Sequence, residues 1–115
     1  MVESVKSIIE WSEQTFPDAT LAGQKAKFRD EICEYFDAPE GSERLNELAD
    51  LFIVALSICR FDIEDGLLYL RDAFTIFDGN PCCIGSLGRA IQEKMKTNRS
   101  RKWEKKDGQY QHVGE

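Results

Sequence analysis

The sequence lacks the cysteine and histidine patterns from which disulfide frameworks and zinc sites are built. It contains one histidine, His112, and no CxxC motif, so a zinc ion would find few of its usual ligands. Cys33 and Cys59 lie among apolar neighbours at helix-like positions, and the adjacent Cys82 and Cys83 are poorly placed to pair with each other. We therefore expect a reduced, cytoplasmic protein.

Long apolar stretches are also missing. The longest mainly apolar run covers residues 51–59, which is too short to cross a membrane. Residues 1–10 contain acidic side chains and no apolar signal-peptide core, so we expect no export signal and no membrane partner. No alternation of period two persists along the chain, and the apolar spacing is helical throughout, which predicts an all-α fold.

The length of 115 residues and the hydrophobic content of 42% suit one small domain. Because such a core is limited, we expect burial between subunits and predict a homodimer or homotetramer. The pattern predicts a bundle of four or five helices, over residues 2–14, 21–37, 43–60, 63–77 and 84–98. Thr20 and Ser42 are the predicted N-caps of the second and third helices. Residues 107–115 are expected to form a polar tail.

The charge is unevenly distributed. The net charge is −6, yet the stretch from Lys94 to Lys106 holds seven basic residues and one acid, Glu104. A charge run is most often a solvated surface. An acidic cluster together with a basic cluster is also what a metal–polyphosphate site requires, because the acids hold the cation and the bases contact phosphate oxygens.

Two pairs of acids carry the strongest chemical signal. Glu31 and Glu34 lie three residues apart on the second predicted helix, and Glu47 and Asp50 lie three apart on the third, so each pair shares a helix face. The short turn between the helices favours antiparallel neighbours whose pairs face each other. Four converging carboxylates repel unless a cation is present, and such hard ligands suit Mg²⁺ or Mn²⁺. The predicted catalytic metal ligands are therefore Glu31, Glu34, Glu47 and Asp50.

Two other interpretations compete with a magnesium site. Glu-rich helix faces are common on solvated surfaces, but Glu47 and Asp50 open the most apolar helix of the chain, where unpaired acids are costly. A di-iron carboxylate bundle needs Glu-x-x-His on two helices, and the single His112 lies in the polar tail. We therefore favour the magnesium site.

The arrangement of these acids resembles that of a known family. The pattern Asp30-Glu31-x-x-Glu34, a spacer of 12 residues and Glu47-x-x-Asp50 is similar to the EExxE…ExxD signature of the MazG-like all-α NTP pyrophosphohydrolases. Two further patterns resemble those of the dATP/dGTP diphosphohydrolase branch of that family. They are Trp11-x-x-x-x-Phe16, and Lys94-Met95-x-x-Asn98-x-x-Arg101-x-Trp103 followed by Asp107-Gly108 and His112.

The resemblance implies a MazG-like catalytic domain over residues 1–106. It implies hydrolysis of a nucleoside triphosphate, dGTP or dATP, at the α–β phosphate bond to the monophosphate and pyrophosphate. Mg²⁺ would be bound by the four carboxylates, while Lys94, Asn98 and Arg101 match positions that contact the triphosphate and sugar. A dimer or a dimer of dimers is implied as well. This chain departs from the family pattern at Asp30, where a glutamate is usual, and in the longer segment 62–86.

Aromatic residues are the candidates for recognition of the base. Trp11, Phe16 and Trp103 could stack on a purine, although an aromatic at helical spacing more often belongs to a core. Trp103 is the strongest candidate for substrate binding because it lies among basic residues; its alternative role is an anchor that holds the tail on the bundle.

The sequence therefore predicts a Mg²⁺-dependent nucleoside triphosphate diphosphohydrolase. The alternative is a non-catalytic helical module that binds nucleic acid or nucleotides through basic residues 94–106. The acidic net charge argues against a nucleic-acid partner. A family member that binds without hydrolysis is a third case, against which the intact set of four acids argues.

Overall fold

Five α-helices and one β-hairpin make up the structure, a computed structural model that describes residues 2–107 and 109–113. The helices are α1 (Val5–Thr15), α2 (Leu21–Asp37), α3 (Ser42–Cys59), α4 (Ile63–Asp78) and α5 (Ile84–Ser100). The hairpin pairs β1 (Lys102–Lys106) with β2 (Gln109–Val113) in antiparallel order. The prediction of a mainly helical fold is confirmed. Within the described residues, no helix combines the length and the apolar character needed to cross a membrane.

Helix α3 is the centre of the bundle. Every residue from Leu48 to Cys59 except Asp50 is buried, and α1, α2, α4 and α5 all pack against this helix. Leu51 and Ile58 are fully buried, and each such side chain contributes about 1.5–3 kcal/mol when it leaves water. The most apolar stretch of the sequence is thus buried within a single chain.

The turn between α2 and α3 sets the relative position of the two helices. Thr20 caps α2 as predicted, since its Oγ1 accepts a hydrogen bond of 3.0 Å from the N–H of Gly23. The predicted cap of α3 is wrong: Gly41, not Ser42, is the N-cap, with a φ of 104° that glycine adopts without strain. Arg44 then braces the turn by donating hydrogen bonds to carbonyl oxygens at the end of α2.

Among the apolar side chains that are exposed on the helices are Val5 and Cys33. Val5, the first residue of α1, is 59% exposed. Cys33 is exposed because α2 buries the opposite face, which carries Phe28 and Tyr35. All four cysteines are free thiols, in agreement with the prediction that they form no disulfide framework.

The C-terminal hairpin differs from the predicted polar tail. It crosses the predicted boundary at residues 106–107, and Trp103 of β1 pairs with His112 of β2. Trp103 and Tyr110 pack against the cluster around Ile8, Trp11 and Phe16, because the alternation of side chains and the register of the strands place both rings on the same face of the hairpin. Gly108 and residues 114–115 of the predicted tail lie outside the described residues.

Candidate functional site

Helices α2 and α3 bring three of the four predicted carboxylates together. Glu31, Glu34 and Glu47 each offer one oxygen, and these oxygens lie within 4.8 Å of one another. Glu31 is buried, Glu47 is half-buried and Glu34 is exposed. A group of oxygens of this type and span is suited to a divalent cation. We refer to Glu31, Glu34 and Glu47 as the carboxylate cluster.

Two oxygens of the carboxylate cluster lack a partner. Glu31 Oε2 and Glu47 Oε2 are buried, and neither has a hydrogen-bond partner in the described part of the chain. Buried polar atoms are nearly always paired, and leaving one unpaired costs about 1–3 kcal/mol. A cation between α2 and α3 would satisfy both oxygens, so these residues fit the predicted Mg²⁺.

Burial and mutual repulsion disfavour the ionised forms of these acids. Burial is the largest cause that raises the pKa of Glu31 from 4.5 to about 9, and the charge of Asp50 and a hydrogen bond with Glu34 raise it further. Burial also raises the pKa of Glu47, followed by the charges of Asp50 and Glu34. Without a cation, the carboxylate cluster therefore retains a proton at neutral pH, which a bound metal would have to displace.

Asp50 lies beside the carboxylate cluster and pairs with a base. Its Oδ2 is 3.2 Å from Nζ of Lys94 on α5. Burial raises the pKa of Asp50, whereas the charge of Lys94 and its hydrogen bond lower it. The structure thus places the fourth predicted ligand in an ion pair with a predicted phosphate-binding residue.

One cavity of about 490 Å³ joins the acidic and basic residues singled out by the sequence. All four carboxylates line it, and so does Asp30. The predicted substrate-binding residues line it as well: Lys94, Asn98, Arg101 and Trp103. A volume of this size is typical of small-molecule sites, which span about 300–1,000 Å³. The cavity can therefore hold an anionic ligand of small-molecule size together with a cation.

Aromatic rings form another part of the cavity wall. The ring centroids of Trp11 and Phe16 are 5.1 Å apart, as are those of Phe16 and Trp103, and both pairs meet edge to face. The ring centroid of Tyr110 lies 4.7 Å from that of Phe16, and Tyr110 also lines the cavity. Trp103 lines the cavity, and its Nε1 donates a 3.1 Å hydrogen bond to the carbonyl oxygen of Asn98, which anchors the hairpin.

Several residues of the cavity wall were not identified from the sequence, among them three that carry polar groups that a ligand can meet. Lys27, whose Nζ is 3.9 Å from Glu31 Oε1, and Gln24 precede Glu31 on one face of α2. Their spacing of three and four residues from one another is a helical signal that could have identified both. Tyr110 reaches the cavity only because the hairpin folds back onto α1, which no local pattern of the helices indicates.

Comparisons with known protein families, curated proteins and solved structures found no match to this chain. The site's own geometry and the resemblance of its motifs are therefore the basis on which its function can be inferred.

Proposed function

We propose that this protein is a Mg²⁺-dependent nucleoside triphosphate pyrophosphohydrolase of the MazG-like type that acts on dGTP or dATP. The observation that carries the proposal is the shared cavity, in which the carboxylate cluster with its two unpartnered oxygens faces the same space as Lys94 and Arg101. The resemblance of the acidic and basic motifs to that family supports the same reaction.

The acidic residues of the cavity would bind the cation, and the basic residues would bind the phosphates. Glu31, Glu34 and Glu47 would hold Mg²⁺, with Asp50 joining them when Lys94 turns from its carboxylate to the phosphate oxygens. When bound, Mg²⁺ neutralises phosphate charge and makes a water molecule more acidic. Lys94 and Arg101 would stabilise the charge that develops on the phosphates, and the guanidinium of Arg101 can do so with two hydrogen bonds.

The proposed reaction is an attack of water on the α-phosphorus. The bond from the α-phosphorus to the α–β bridging oxygen breaks, so the products are a nucleoside monophosphate and pyrophosphate. Asn98 is buried at 5% exposure in the cavity wall, where it would hold the sugar and keep the α-phosphorus in line for attack.

Product analysis tests this proposal directly. The purified protein is incubated with each deoxynucleoside triphosphate and Mg²⁺, and the phosphorus products are identified by ³¹P NMR. We expect monophosphate and pyrophosphate in equal amounts, and a loss of at least about 100-fold in rate for Glu47→Gln. Glu10→Gln, which changes an exposed acid of α1, is the matched control and should retain activity. Inorganic phosphate without pyrophosphate would refute cleavage at the α–β bond.

The structure offers less support for the nucleic-acid alternative. At least three of the seven bases in residues 94–106 pair with acids: Lys94 with Asp50, Arg99 with Glu3, and Lys105 with Asp18. Each such pair reduces the positive charge available to a phosphate backbone. Salt-dependent binding of single- or double-stranded DNA, without turnover of any nucleotide, would favour this alternative.

We also infer that the protein self-associates through the outer face of α4. Its exposed apolar residues, together with one that precedes the helix, are Phe61, Ile63, Leu67, Leu68 and Phe74. An antiparallel pairing of two copies about a twofold axis at Leu67 and Leu68 brings Glu64 opposite Arg71 of the second copy, twice, and Phe61 opposite Phe74. The pairing therefore matches apolar surface with apolar surface and Glu64 with Arg71, whose guanidinium also lies 3.4 Å from Asp72 of its own chain, and a second copy is the occupant that fits.

Sedimentation velocity tests the self-association. We expect a dimer for the native chain, and a shift to monomer for Arg71→Glu because Glu64 would then meet a like charge. The double variant Glu64→Arg/Arg71→Glu restores opposite charges and should recover the dimer. A native chain that sediments as a monomer at micromolar concentration would contradict the inference.

A further inference from the structure

A buried amide in the cavity wall has unused hydrogen-bonding capacity. The side chain of Gln24 lines the cavity and is only 8% exposed. Across residues 2–107 and 109–113, no protein group forms a hydrogen bond with this amide, and its nitrogen and oxygen are open to the cavity, because the fully buried side-chain atoms without a partner are those of Glu31 and Glu47. The amide carries two N–H donors and one carbonyl acceptor. A ligand in the cavity is therefore the partner that these groups can meet.

The position of Gln24 along α2 indicates which part of a ligand it would meet. Gln24, Lys27 and Glu31 fall on one face of the helix, all three lining the cavity. The seven residues from Gln24 to Glu31 correspond to about 10 Å along the axis. Gln24 is thus separated from the carboxylate cluster by more than one helical turn. It lies one turn after Thr20, the cap of α2, which also lines the cavity.

The surroundings of this amide suit a flat, partly apolar group. The aromatic wall of the cavity is formed by Trp11, Phe16, Trp103 and Tyr110. Asn98, which would hold the sugar, adjoins this wall, because its backbone carbonyl oxygen accepts the hydrogen bond of Trp103. Aromatic side chains together with a few amides are a usual combination for a ring that carries hydrogen-bonding groups.

We propose that Gln24 is the residue that recognises the nucleobase of the substrate. This inference rests on the proposed nucleotide hydrolysis and goes beyond it by assigning the base to the part of the cavity beside the first turns of α2, about 10 Å along the helix from Glu31. A nucleobase edge carries neighbouring donors and acceptors, and a glutamine amide can pair with such an edge through one N–H and its carbonyl oxygen. Phosphate, which has only acceptors, would use just the N–H groups.

A comparison of Gln24→Met with Gln92→Met tests the assignment. Methionine keeps the approximate length of the side chain and removes the amide. We expect Gln24→Met to lower kcat/KM for the preferred nucleotide by about 10- to 100-fold and to reduce the discrimination among bases, because only the base contact is lost. The triphosphate of the unsubstituted purine deoxynucleoside lacks exocyclic groups and keeps only ring-nitrogen acceptors, so Gln24→Met should lower its kcat/KM less than that of the preferred nucleotide.

The thermal midpoint of the ligand-free protein provides a second measurement, and the two variants should change it differently. Removal of an unpaired buried amide should leave the thermal midpoint of Gln24→Met unchanged or raise it by about 4 °C. Gln92 differs because its amide is already paired: Oε1 accepts from the N–H of Glu3 at 3.0 Å, and Nε2 donates to the carbonyl oxygen of Glu3 at 3.3 Å. Gln92→Met should therefore lower the midpoint and leave the base preference intact.

The outcomes separate this inference from the proposed function. If the native chain hydrolyses nucleotides and Gln24→Met keeps the native base preference, the assignment of Gln24 is refuted and the hydrolase survives. A fall in the thermal midpoint of Gln24→Met with unchanged selectivity would show a structural role and refute the assignment as well. If isothermal titration with Ca²⁺ and each dNTP shows no binding and Mg²⁺ gives no turnover, both proposals fail.

Discussion

Replacing Glu31 with glutamine should stabilise the metal-free protein at neutral pH. The pKa of Glu31 is raised from 4.5 to about 9, chiefly by burial, so the folded chain keeps a proton that the unfolded chain releases. For a raised pKa of this kind, the contribution to stability is complete below pH 4.5 and declines as the pH rises towards 9. Glutamine resembles the protonated acid and carries no charge at any pH, so it removes this loss.

The size of the effect follows from the two pKa values. At pH 7 the folded state has lost about 3 kcal/mol relative to acidic conditions, because each pKa unit above 4.5 corresponds to about 1.36 kcal/mol. Between pH 6 and 8 the free energy of unfolding should fall by about 1.4 kcal/mol per pH unit. Burial raises the pKa of Glu47 and Asp50 in the same direction, which adds to the slope. A gain of about 3 kcal/mol is a large share of the 5–15 kcal/mol typical of a domain.

Urea unfolding followed by circular dichroism, in the presence of a chelator at pH 6, 7 and 8, measures this effect. The free energy of unfolding of the native protein should fall as the pH rises. For Glu31→Gln it should be higher and should change less with pH, and for Glu10→Gln it should follow the native curve. Addition of Mg²⁺ should stabilise native protein increasingly towards pH 8, because metal binding releases the retained proton, and should do little for Glu31→Gln. A native curve that is flat in pH, or a Glu31→Gln variant less stable than native protein at pH 8, would refute the reasoning.

Two further predictions concern the fold. Gly66→Ala should destabilise the protein by about 1–3 kcal/mol, because a Cβ there would lie 2.7 Å from the Cα of Cys59. A Cβ at Gly88, inside α5, would meet nothing within 4 Å, so Gly88→Ala should stabilise the protein by about 0.5–1 kcal/mol. Thermal unfolding measures both changes. Trp103→Ala should cost on the order of 2 kcal/mol and increase hydrogen exchange selectively in β1 and β2, because the bond to the Asn98 carbonyl and the ring contacts hold the hairpin on the bundle. Uniform protection of the hairpin in this variant would contradict its role as an anchor.

The helices were predictable because their signals are local. Apolar residues three and four apart give each helix a buried side, and Thr20 provides the cap hydrogen bond that begins α2. The start of α3 was assigned one residue late because Gly41 caps through its backbone conformation, not through a side chain. The hairpin also had a local signal that the helical interpretation overlooked: Asp107-Gly108 separates two short segments, and that dipeptide is a strong hairpin indicator.

The sequence by itself determined which acids share a helix face, since the spacing of Glu31 with Glu34 and of Glu47 with Asp50 follows from the helical repeat alone. Tertiary structure alone decided that Asp50 pairs with Lys94, because that contact depends on how α5 packs against α3. Packing also decided that the carboxylate cluster retains a proton, since burial is a property of the assembled bundle. The aromatic wall likewise exists only when the hairpin lies on α1, where contacts between residues distant in sequence bring the rings together.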